Sequence, residues 1–416
     1  MTPYLKKHAR FPAQIFGIPS PNLELVVVIP AYKEKDLLKS LASLKNCDLP
    51  TAADVEVIVV FNDSEKDTVA IKDLNKKMYE QACKWSLKNS RNRLKYHILY
   101  HSDLPKKEAG VGLARKIGLD EGVFRFEAVQ NPKGILCCFD ADSLCEKNYF
   151  EAIYDHFKKH PKAKACGIHF EHPIDGNKFP KKVYRAITLY ELHLRYFVLA
   201  QRFTKFPFAF QTIGSSMATR CDAYQQQGGM NKRKAGEDFY FLHKFITLGN
   251  FKEIRTTKVI PSPRLSDRVP FGTGKAIGEI TNQKKLFETY APESFQDLAK
   301  FFKEVPHFFA SSEIEIQQIV KQLPPSIQGY LEKVDFTKRL REIRGNTATL
   351  NAFEHRFFKW FNAFQLMKFV HFSRDHFHEN VPVEEAAHWL IESHLKKDIS
   401  DHLDPKELLL VLRMIE

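Results

Sequence analysis

Two carboxylates two positions apart are the clearest chemical signal in the sequence. Asp140 and Asp142 flank Ala141 and follow residues 134–139, an apolar run typical of a buried strand. Both side chains can approach one hard cation, because Mg²⁺ and Mn²⁺ prefer oxygen ligands. The Asp-x-Asp pattern therefore predicts a metal site at Asp140 and Asp142. A helix N-cap at Asp142 or Ser143 with a solvated neighbour is the alternative interpretation.

Polar side chains also follow three other apolar runs with the pattern of strands. In an open parallel sheet the carboxyl ends of the strands meet at one edge, where ligands bind. Polar residues at four successive strand ends therefore predict one site. The polar groups after the runs 24–29, 55–61 and 96–100 are Tyr32, Lys33 and Glu34, then Asn62 and Asp63, then His101, Ser102 and Asp103.

Helical patterns separate these strands, which predicts how the site is supported. Leucines recur at helical spacing from residue 37 to 44, and helices are also predicted over 68–88 and 112–126. The alternation favours a doubly wound, mostly parallel, Rossmann-like α/β sheet with right-handed crossovers. Further along, the patterns predict a helix over 184–203, a strand within 212–219, a helix over 237–248, and an all-helical region over 286–416.

This pattern divides the chain into an arm and two domains. Residues 1–22 are predicted to form an N-terminal arm, and residues 286–416 a helical C-terminal domain. An α/β domain is predicted over 23–285, and its pattern changes at about residue 170.

The charge of the chain is uneven along its length. Of 416 residues with a net charge of +13, segment 286–416 holds 16 basic and 20 acidic residues. The remainder holds 47 basic and 30 acidic residues, a net charge of +17. This surplus predicts an anionic partner, which could be nucleic acid, an anionic membrane surface or a phosphorylated small substrate.

Compartment and membrane signals point to the cytoplasm. The odd count of seven cysteines, three of them in strand-like stretches, favours reduced thiols. The sequence has no apolar run of 18 residues, and no apolar signal-peptide region follows the basic N-terminus. We expect a cytoplasmic protein, with peripheral contact to the inner face of the membrane left open.

Four motifs, in order, carry a resemblance to a known family. They are Val-Val-Ile-Pro-Ala-Tyr-Lys-Glu at 27–34, Val-Val-Phe-Asn-Asp-Ser at 59–64, the Gly-rich helix start at 110–119, and the pair Gly-Gly-Met at 228–230 with Gly-Glu-Asp at 236–238. Together they make residues 25–274 resemble the family 2 glycosyltransferases, which have the GT-A fold. The resemblance implies that 23–285 is the catalytic domain, with a nucleotide-binding half at about 23–170 and an acceptor-binding half at about 171–285.

The resemblance implies roles for individual residues. The first turn, Pro30, Ala31, Tyr32 and Glu34, would contact the donor nucleotide, and Asp63 would read its base. Gly112 permits a tight helix entry, and Arg115 can bind a donor phosphate one turn later. In the pair Glu237 and Asp238, the second acid would be the catalytic base. A structural alternative exists for each, namely a plain loop, an Asx-turn or a helix-dipole contact.

A mixed-charge loop follows the Gly-Glu-Asp motif at 236–238. Arg264 and Arg268 could neutralise a diphosphate, and Asp267 could assist the metal. A solvated linker of mixed charge explains the same residues equally well.

Three departures from the family pattern refine the expectation. Lys33 stands where the family often has Asn, and Asn62-Asp63-Ser64 replaces the usual Asp-Asp-Gly. The sequence also lacks the Gln-x-x-Arg-Trp motif of processive polysaccharide synthases. A non-processive enzyme is therefore expected.

The resemblance implies a hexosyltransferase-type enzyme that transfers sugar from a nucleoside-diphosphate sugar with inversion. It would use Mg²⁺ or Mn²⁺, and its acceptor would be a glycan, a lipid-linked molecule or a small molecule. The alternatives are a nucleotidyltransferase of similar fold and a non-catalytic binder of nucleic acid or anionic membrane. Acidic residues inside a basic surround suit a metal-bridged diphosphate better than a nucleic-acid groove, so no nucleic-acid partner is expected.

Overall fold

The computed structural model of the chain describes residues 1–266, 268, 272–282, 286–396 and 403–416. The strands in chain order are β1 (Leu23–Ala31), β2 (Asp54–Ser64), β3 (Leu94–Leu104), β4 (Ile135–Cys138), β5 (Leu144–Cys145), β6 (Ala165–Phe170), β7 (Met217–Arg220), β8 (Lys252–Ile260), β9 (Glu288–Thr289) and β10 (Val381–Pro382). The helices are α1 (Pro3–His8), α2 (Leu37–Lys45), α3 (Val69–Asn89), α4 (Val111–Ala128), α5 (Tyr149–Lys159), α6 (Lys181–Phe203), α7 (Cys221–Gln226), α8 (Glu237–Ile246), α9 (Thr273–Asn282), α10 (Pro292–Lys303), α11 (His307–Ala310), α12 (Glu313–Gln322), α13 (Pro325–Lys333), α14 (Phe336–Gly345), α15 (Leu350–Trp360), α16 (Ala363–His376), α17 (Val383–Leu395) and α18 (Pro405–Ile415).

The chain forms two compact units. Unit 1 comprises Met1–Pro173 and Thr212–Lys275, and unit 2 comprises Ile174–Gln211 and Ala276–Glu416. These units do not follow the predicted boundaries. Helix α6, inside the predicted acceptor-binding half, groups with the C-terminal helices, and the arm 1–22 groups with the sheet.

Unit 1 is built on one mixed sheet, with the described strands in the order β3-β2-β1-β4-β7-β6-β8-β5. Strands β3, β2, β1 and β4 run parallel, as the sequence predicts. Strand β7 is antiparallel to both β4 and β6, and β5 is antiparallel to β8. The expectation of a mostly parallel α/β sheet followed by a helical region is confirmed.

Strand β1 is apolar on both faces because helices cover both sides of the sheet. Leu25, Val27 and Ile29 belong to one buried core with side chains of α2 and α5. Val26 and Val28, on the opposite face, lie beneath α4. The continuous apolar run in the sequence therefore predicts a doubly covered central strand correctly.

The N-terminal arm packs along α4. The Tyr4 hydroxyl donates to Asp120 Oδ1 at 2.8 Å, and the Gln14 amide donates to Glu121 Oε2 at 2.9 Å. Arg125 on the same helix pairs with Glu56 Oε1 at 2.7 Å and donates to the Gly17 carbonyl. Charged residues of α4 are consequently buried between the sheet and the arm.

Unit 2 is helical apart from β9 and β10 among its described residues, in agreement with the helical pattern of the sequence. Helix α6 packs against α17 and α18. Its Arg195, fully buried, pairs with Glu191 at 2.8 Å, and Arg413 on α18 reaches the same carboxylate at 2.8 Å. Within the described residues, no helix has the length and apolar character that spanning a bilayer requires.

Candidate active site

The predicted strand ends lie side by side at one edge of the unit 1 sheet. The parallel strands β3, β2, β1 and β4 are consecutive neighbours, and Val28 of β1 is paired with Ile58 of β2 and Cys138 of β4. The turns after β1 and β4, which carry Glu34 and Asp142, consequently begin next to each other. The sheet therefore brings together the polar residues that follow these strands.

Arg115 joins the Asp-Ala-Asp turn to the start of α8. Its side chain is only 3% exposed, and its Nη2 lies 2.5 Å from Asp140 Oδ1 while Nη1 pairs with Glu237 Oε1. Although burial alone would lower it, the two carboxylates raise the pKa of Arg115. The predicted phosphate-binding arginine is thus engaged with two predicted site carboxylates.

Gly214 leaves the space that the Arg115 guanidinium occupies. A Cβ on Gly214 would lie 2.6 Å from both Nη1 and Nη2 of Arg115, closer than such contacts occur. Gly214 was not predicted from the sequence, although the small residues Gly214, Ser215 and Ser216 in a buried stretch indicate a close approach.

Arg264 and Arg268 converge on Glu34 and Asp142. Arg264 Nη2 lies 2.5 Å from Glu34 Oε2, and its Nε lies 2.7 Å from Asp142 Oδ2. Arg268 Nη1 lies 3.1 Å from the same Glu34 oxygen and donates to the Tyr32 carbonyl at 2.7 Å. Both predicted arginines therefore reach the strand-end site, whereas Asp267 lies outside the described residues.

The cluster holds more negative than positive charge. Burial raises the pKa of Asp142 to about 7 against the opposing effect of Arg264, and the Asp140 and Glu34 carboxylates raise it further. Burial likewise raises the pKa of Glu237 to about 7. When all are ionised, five carboxylates face three arginines, a formal charge of −2. The carboxylates are Glu34, Asp140, Asp142, Glu237 and Asp238, and the arginines are Arg115, Arg264 and Arg268.

Asp238 is the second residue of α8 and is half-buried. Its Oδ1 accepts the Phe239 amide at 2.8 Å, and burial raises its pKa. Its neighbour Glu237 is 3% exposed and is tied to Arg115. Of the two adjacent acids, Asp238 is thus the more accessible to a substrate hydroxyl.

The turn after β1 is held in an unusual backbone conformation. Lys33 has a φ of 52°, in the left-handed region, and its amide donates to Asn75 Oδ1 at 2.9 Å. Asn75 is fully buried on α3 and was missed, although it shares the spacing of Met78 and Ala82 on the inner face of that helix. Pro30 and Ala31 are the last residues of β1, so they lie in the strand and not in the turn.

Asp63 makes two contacts inside the protein. Its Oδ2 accepts the Tyr100 hydroxyl at 2.5 Å and its Oδ1 accepts the Asp103 amide at 2.9 Å. It is only 1% exposed. A base contact would require one of these bonds to be exchanged, so the predicted base-reading role stays a prediction.

Gly112 lies where another segment crosses the start of α4. A Cβ there would lie 2.2 Å from the Arg233 carbonyl oxygen. The neighbouring Gly110 carbonyl accepts Asn62 Nδ2 at 3.0 Å. The predicted Gly-rich helix start thus lets the backbone of residues 231–233, between the Gly-Gly-Met and Gly-Glu-Asp motifs, approach α4.

No group of three or more His, Cys, Asp and Glu side chains in the described part of the chain is arranged to hold a metal ion. Asp140 and Asp142 are each paired with an arginine in this structure. Metal binding by these two residues stays a prediction.

Comparison with known proteins finds a family similar to part of the chain. A family model described as glycosyl transferase family 2 matches residues 26–227. No curated protein sequence matches the chain. The matched region includes β1 to β4, Arg115 and the Asp-Ala-Asp turn, and it ends before Glu237, Asp238, Arg264 and Arg268.

Solved structures of TarS from S. aureus are similar at 14% identity. One crystal structure has a TM-score of 0.36, with 77% of this chain and 53% of that chain covered, so this chain spans about half its length. TarS 1-349 in complex with UDP has a TM-score of 0.39, with 82% of this chain and 92% of that chain covered. The family match covers residues 26–227, just under half of the chain, so this region is similar to the glycosyl transferase family 2.

Proposed function

We propose that the protein is a glycosyltransferase that moves one sugar per encounter from a nucleoside-diphosphate sugar to an acceptor hydroxyl, with inversion and with a divalent cation. The observation that carries the proposal is the Arg115 bridge. It holds Asp140, on the predicted donor side, and Glu237, beside the predicted base, on one guanidinium group. This contact supports a single cluster for donor and acceptor chemistry.

The charge of the cluster supports a divalent cation. The formal −2 of its ionised groups equals the charge that Mg²⁺ or Mn²⁺ would neutralise, and carboxylate oxygens are the ligands such ions prefer. Asp140 and Asp142 would hold the ion. Such an ion stabilises negative charge on a departing diphosphate.

Arg264 and Arg268 supply positive charge on the same side of the cluster. Each contacts Glu34, and Arg264 also contacts Asp142. Guanidinium groups bind phosphate oxygens through paired hydrogen bonds. Both arginines are therefore suited to bind the donor diphosphate, with Tyr32 and Glu34 forming the adjacent turn.

Asp238 is proposed as the general base. It takes the proton from the acceptor hydroxyl as that oxygen bonds to the anomeric carbon, and the diphosphate leaves with the electrons of the broken C–O bond. A raised carboxylate pKa favours this step, because a base works best when its pKa approaches the working pH. Attack from the side opposite the diphosphate inverts the anomeric configuration.

Further features of the proposal rest on the sequence. Absence of Gln-x-x-Arg-Trp supports a non-processive enzyme, and seven free cysteines support a cytoplasmic location. The basic surplus of residues 1–285 leaves peripheral contact with an anionic membrane within the proposal. The acceptor class is a glycan, a lipid-linked molecule or a small molecule.

Replacement of Asp238 by Asn tests the base assignment. We expect transfer to fall by about 10²–10⁴ while donor affinity is retained, because the amide keeps the shape but cannot accept the proton. The measurements are release of nucleoside diphosphate in the presence of acceptor and calorimetric binding of the donor.

Asp222→Asn is a matched control for this experiment. Asp222 is also the second residue of a helix, α7, and its Oδ1 accepts the next amide at 2.6 Å. It should retain activity. Near-normal turnover of Asp238→Asn, or equal loss in both variants, would show that Asp238 is not the base.

A further inference from the structure

Helix α2 makes hydrogen bonds to the Asp-Ala-Asp turn and to strand β5, which follows it. The Ser40 hydroxyl donates to the Ala141 carbonyl at 2.9 Å. One turn later, Ser43 Oγ accepts the Cys145 amide at 3.0 Å. The position of residues 141–145 is thereby tied to α2.

Two cysteines lie in contact beside these hydrogen bonds. Cys47, two residues beyond α2, has its Sγ 3.5 Å from the Sγ of Cys145 in β5. Cys47 is 3% exposed, whereas Cys145 is half-buried and accessible from solvent. A disulfide has an S–S length of about 2.05 Å, so the two sulfur atoms are about 1.5 Å too far apart to be bonded.

We propose that Cys47 and Cys145 form a redox modification site, in which a hydroperoxide converts the two thiols into a disulfide that weakens donor binding. The accessible Cys145 thiolate attacks the peroxide oxygen, the O–O bond breaks, and an alcohol or water leaves. The Cys47 sulfur then attacks the sulfur of the resulting sulfenic acid. The S–S bond forms, and the hydroxyl group leaves as water with the proton of the Cys47 thiol. The two thiols lose two electrons in total, and the hydroperoxide gains them.

The disulfide would act on the site through the loop between β4 and β5, which carries Asp140 and Asp142. Cys145 lies three residues after Asp142, and closing the sulfur gap draws β5 towards Cys47. Ser43 Oγ lies 3.6 Å from Cys145 Sγ, so the same movement disturbs the bond that Ser43 makes to the Cys145 amide. Displacement of the loop alters the placement of Asp142. This consequence rests on the proposed function, whereas disulfide formation does not.

Peptide mapping of the full chain tests disulfide formation. After treatment with hydrogen peroxide we expect a linked Cys47–Cys145 peptide, a loss of two hydrogen atoms from the intact mass, and full reversal by dithiothreitol. Cys145→Ser and Cys47→Ser should each abolish the link. Cys83→Ser, which removes a half-buried cysteine of α3, should retain it. Failure to find the linked peptide in the wild type, or irreversible oxidation of Cys145 instead, would overturn the proposal.

Measurements of nucleotide binding test the proposed effect of the disulfide on the donor site. The reduced wild-type protein provides the reference, measured by calorimetry with a panel of nucleoside diphosphates and Mn²⁺. We expect affinity to fall in proportion to the fraction of chains that carry the disulfide, and Cys145→Ser to keep its affinity after peroxide. Unchanged affinity in fully oxidised protein would overturn the proposal. A reduced protein that binds no nucleotide would instead count against the proposed function, while the peptide map still reads the disulfide.

Discussion

Replacing Arg115 with methionine should destabilise unit 1 in a way that depends on pH. Methionine keeps much of the side-chain volume but removes the charge shared by Asp140 and Glu237. Asp140 has a side chain 37% exposed and can be hydrated, whereas Glu237 is buried. Breaking a buried ion pair by removing one partner costs about 3–5 kcal/mol when the other partner stays charged.

Glu237 can avoid part of that cost by taking up a proton. In the wild type its pKa is raised to about 7 even with Arg115 present, and without Arg115 it rises further. Below pH 7 the carboxyl is protonated in both proteins, so their difference in unfolding free energy is constant. Above pH 7 only the variant retains the proton, which it releases on unfolding. Its stability then falls relative to the wild type by about 1.4 kcal/mol per pH unit.

Urea unfolding between pH 6 and 8.5 measures the effect. The fluorescence of Trp85, the only tryptophan in the sequence of unit 1, reports the unfolding of this unit. Trp360 and Trp389 are therefore replaced by phenylalanine in every protein compared. From pH 7 to 8.5 we expect the difference to widen by about 2 kcal/mol. Lys147→Met, which removes an exposed ion pair, should cost under about 1 kcal/mol at all pH values. A pH-independent difference for Arg115→Met would refute the reasoning.

Two further predictions concern the cation and the packing of Arg115. The pKa of about 7 at Asp142 means that Mn²⁺ must displace a proton below that pH, so Mn²⁺ affinity should fall up to about tenfold per pH unit on acidification and lose this dependence in Asp142→Asn. Calorimetric Mn²⁺ titrations from pH 5.5 to 8 check this, and a flat profile in the wild type would contradict it. Gly214→Ala should cost about 1–3 kcal/mol in unfolding free energy and reduce transfer, because the new methyl group displaces Arg115. Gly17→Ala, where a Cβ meets no atom within 4 Å, is the control, and equal effects of the two substitutions would count against this explanation.

The parallel half of the sheet was predictable because its signals are local. Strands β1 and β2 are continuous apolar runs, and α2 shows leucines at helical spacing, so each element is specified by its own residues. Strand β8 was missed because it carries Lys252, Glu253 and Arg255, and its buried residues do not alternate regularly. A strand with polar residues on both sides does not differ from a loop in pattern.

The sequence predicted which residues belong to the site but not which of them contact each other. Sequence position placed Asp140, Asp142 and Arg115 near strand ends and a helix start, and the structure brings all three together. That Arg115 binds Glu237, 122 positions away, depends on where α8 packs, which no local pattern specifies. The same limitation applies to Gly214, whose role appears only once the Arg115 side chain is placed beside it.

The N-terminal arm has a consequence for the order of folding. Residues 1–22 are synthesised before α4, yet Tyr4 binds Asp120, 116 positions later, and Gln14 binds Glu121, 107 positions later. Closing loops of this length is entropically costly, and the binding surface does not exist until α4 has been made and packed. The arm is therefore synthesised before α4 but can pack only after it. The arm covers the buried acids of α4, and transient local opening of unit 1 is expected to begin with its release.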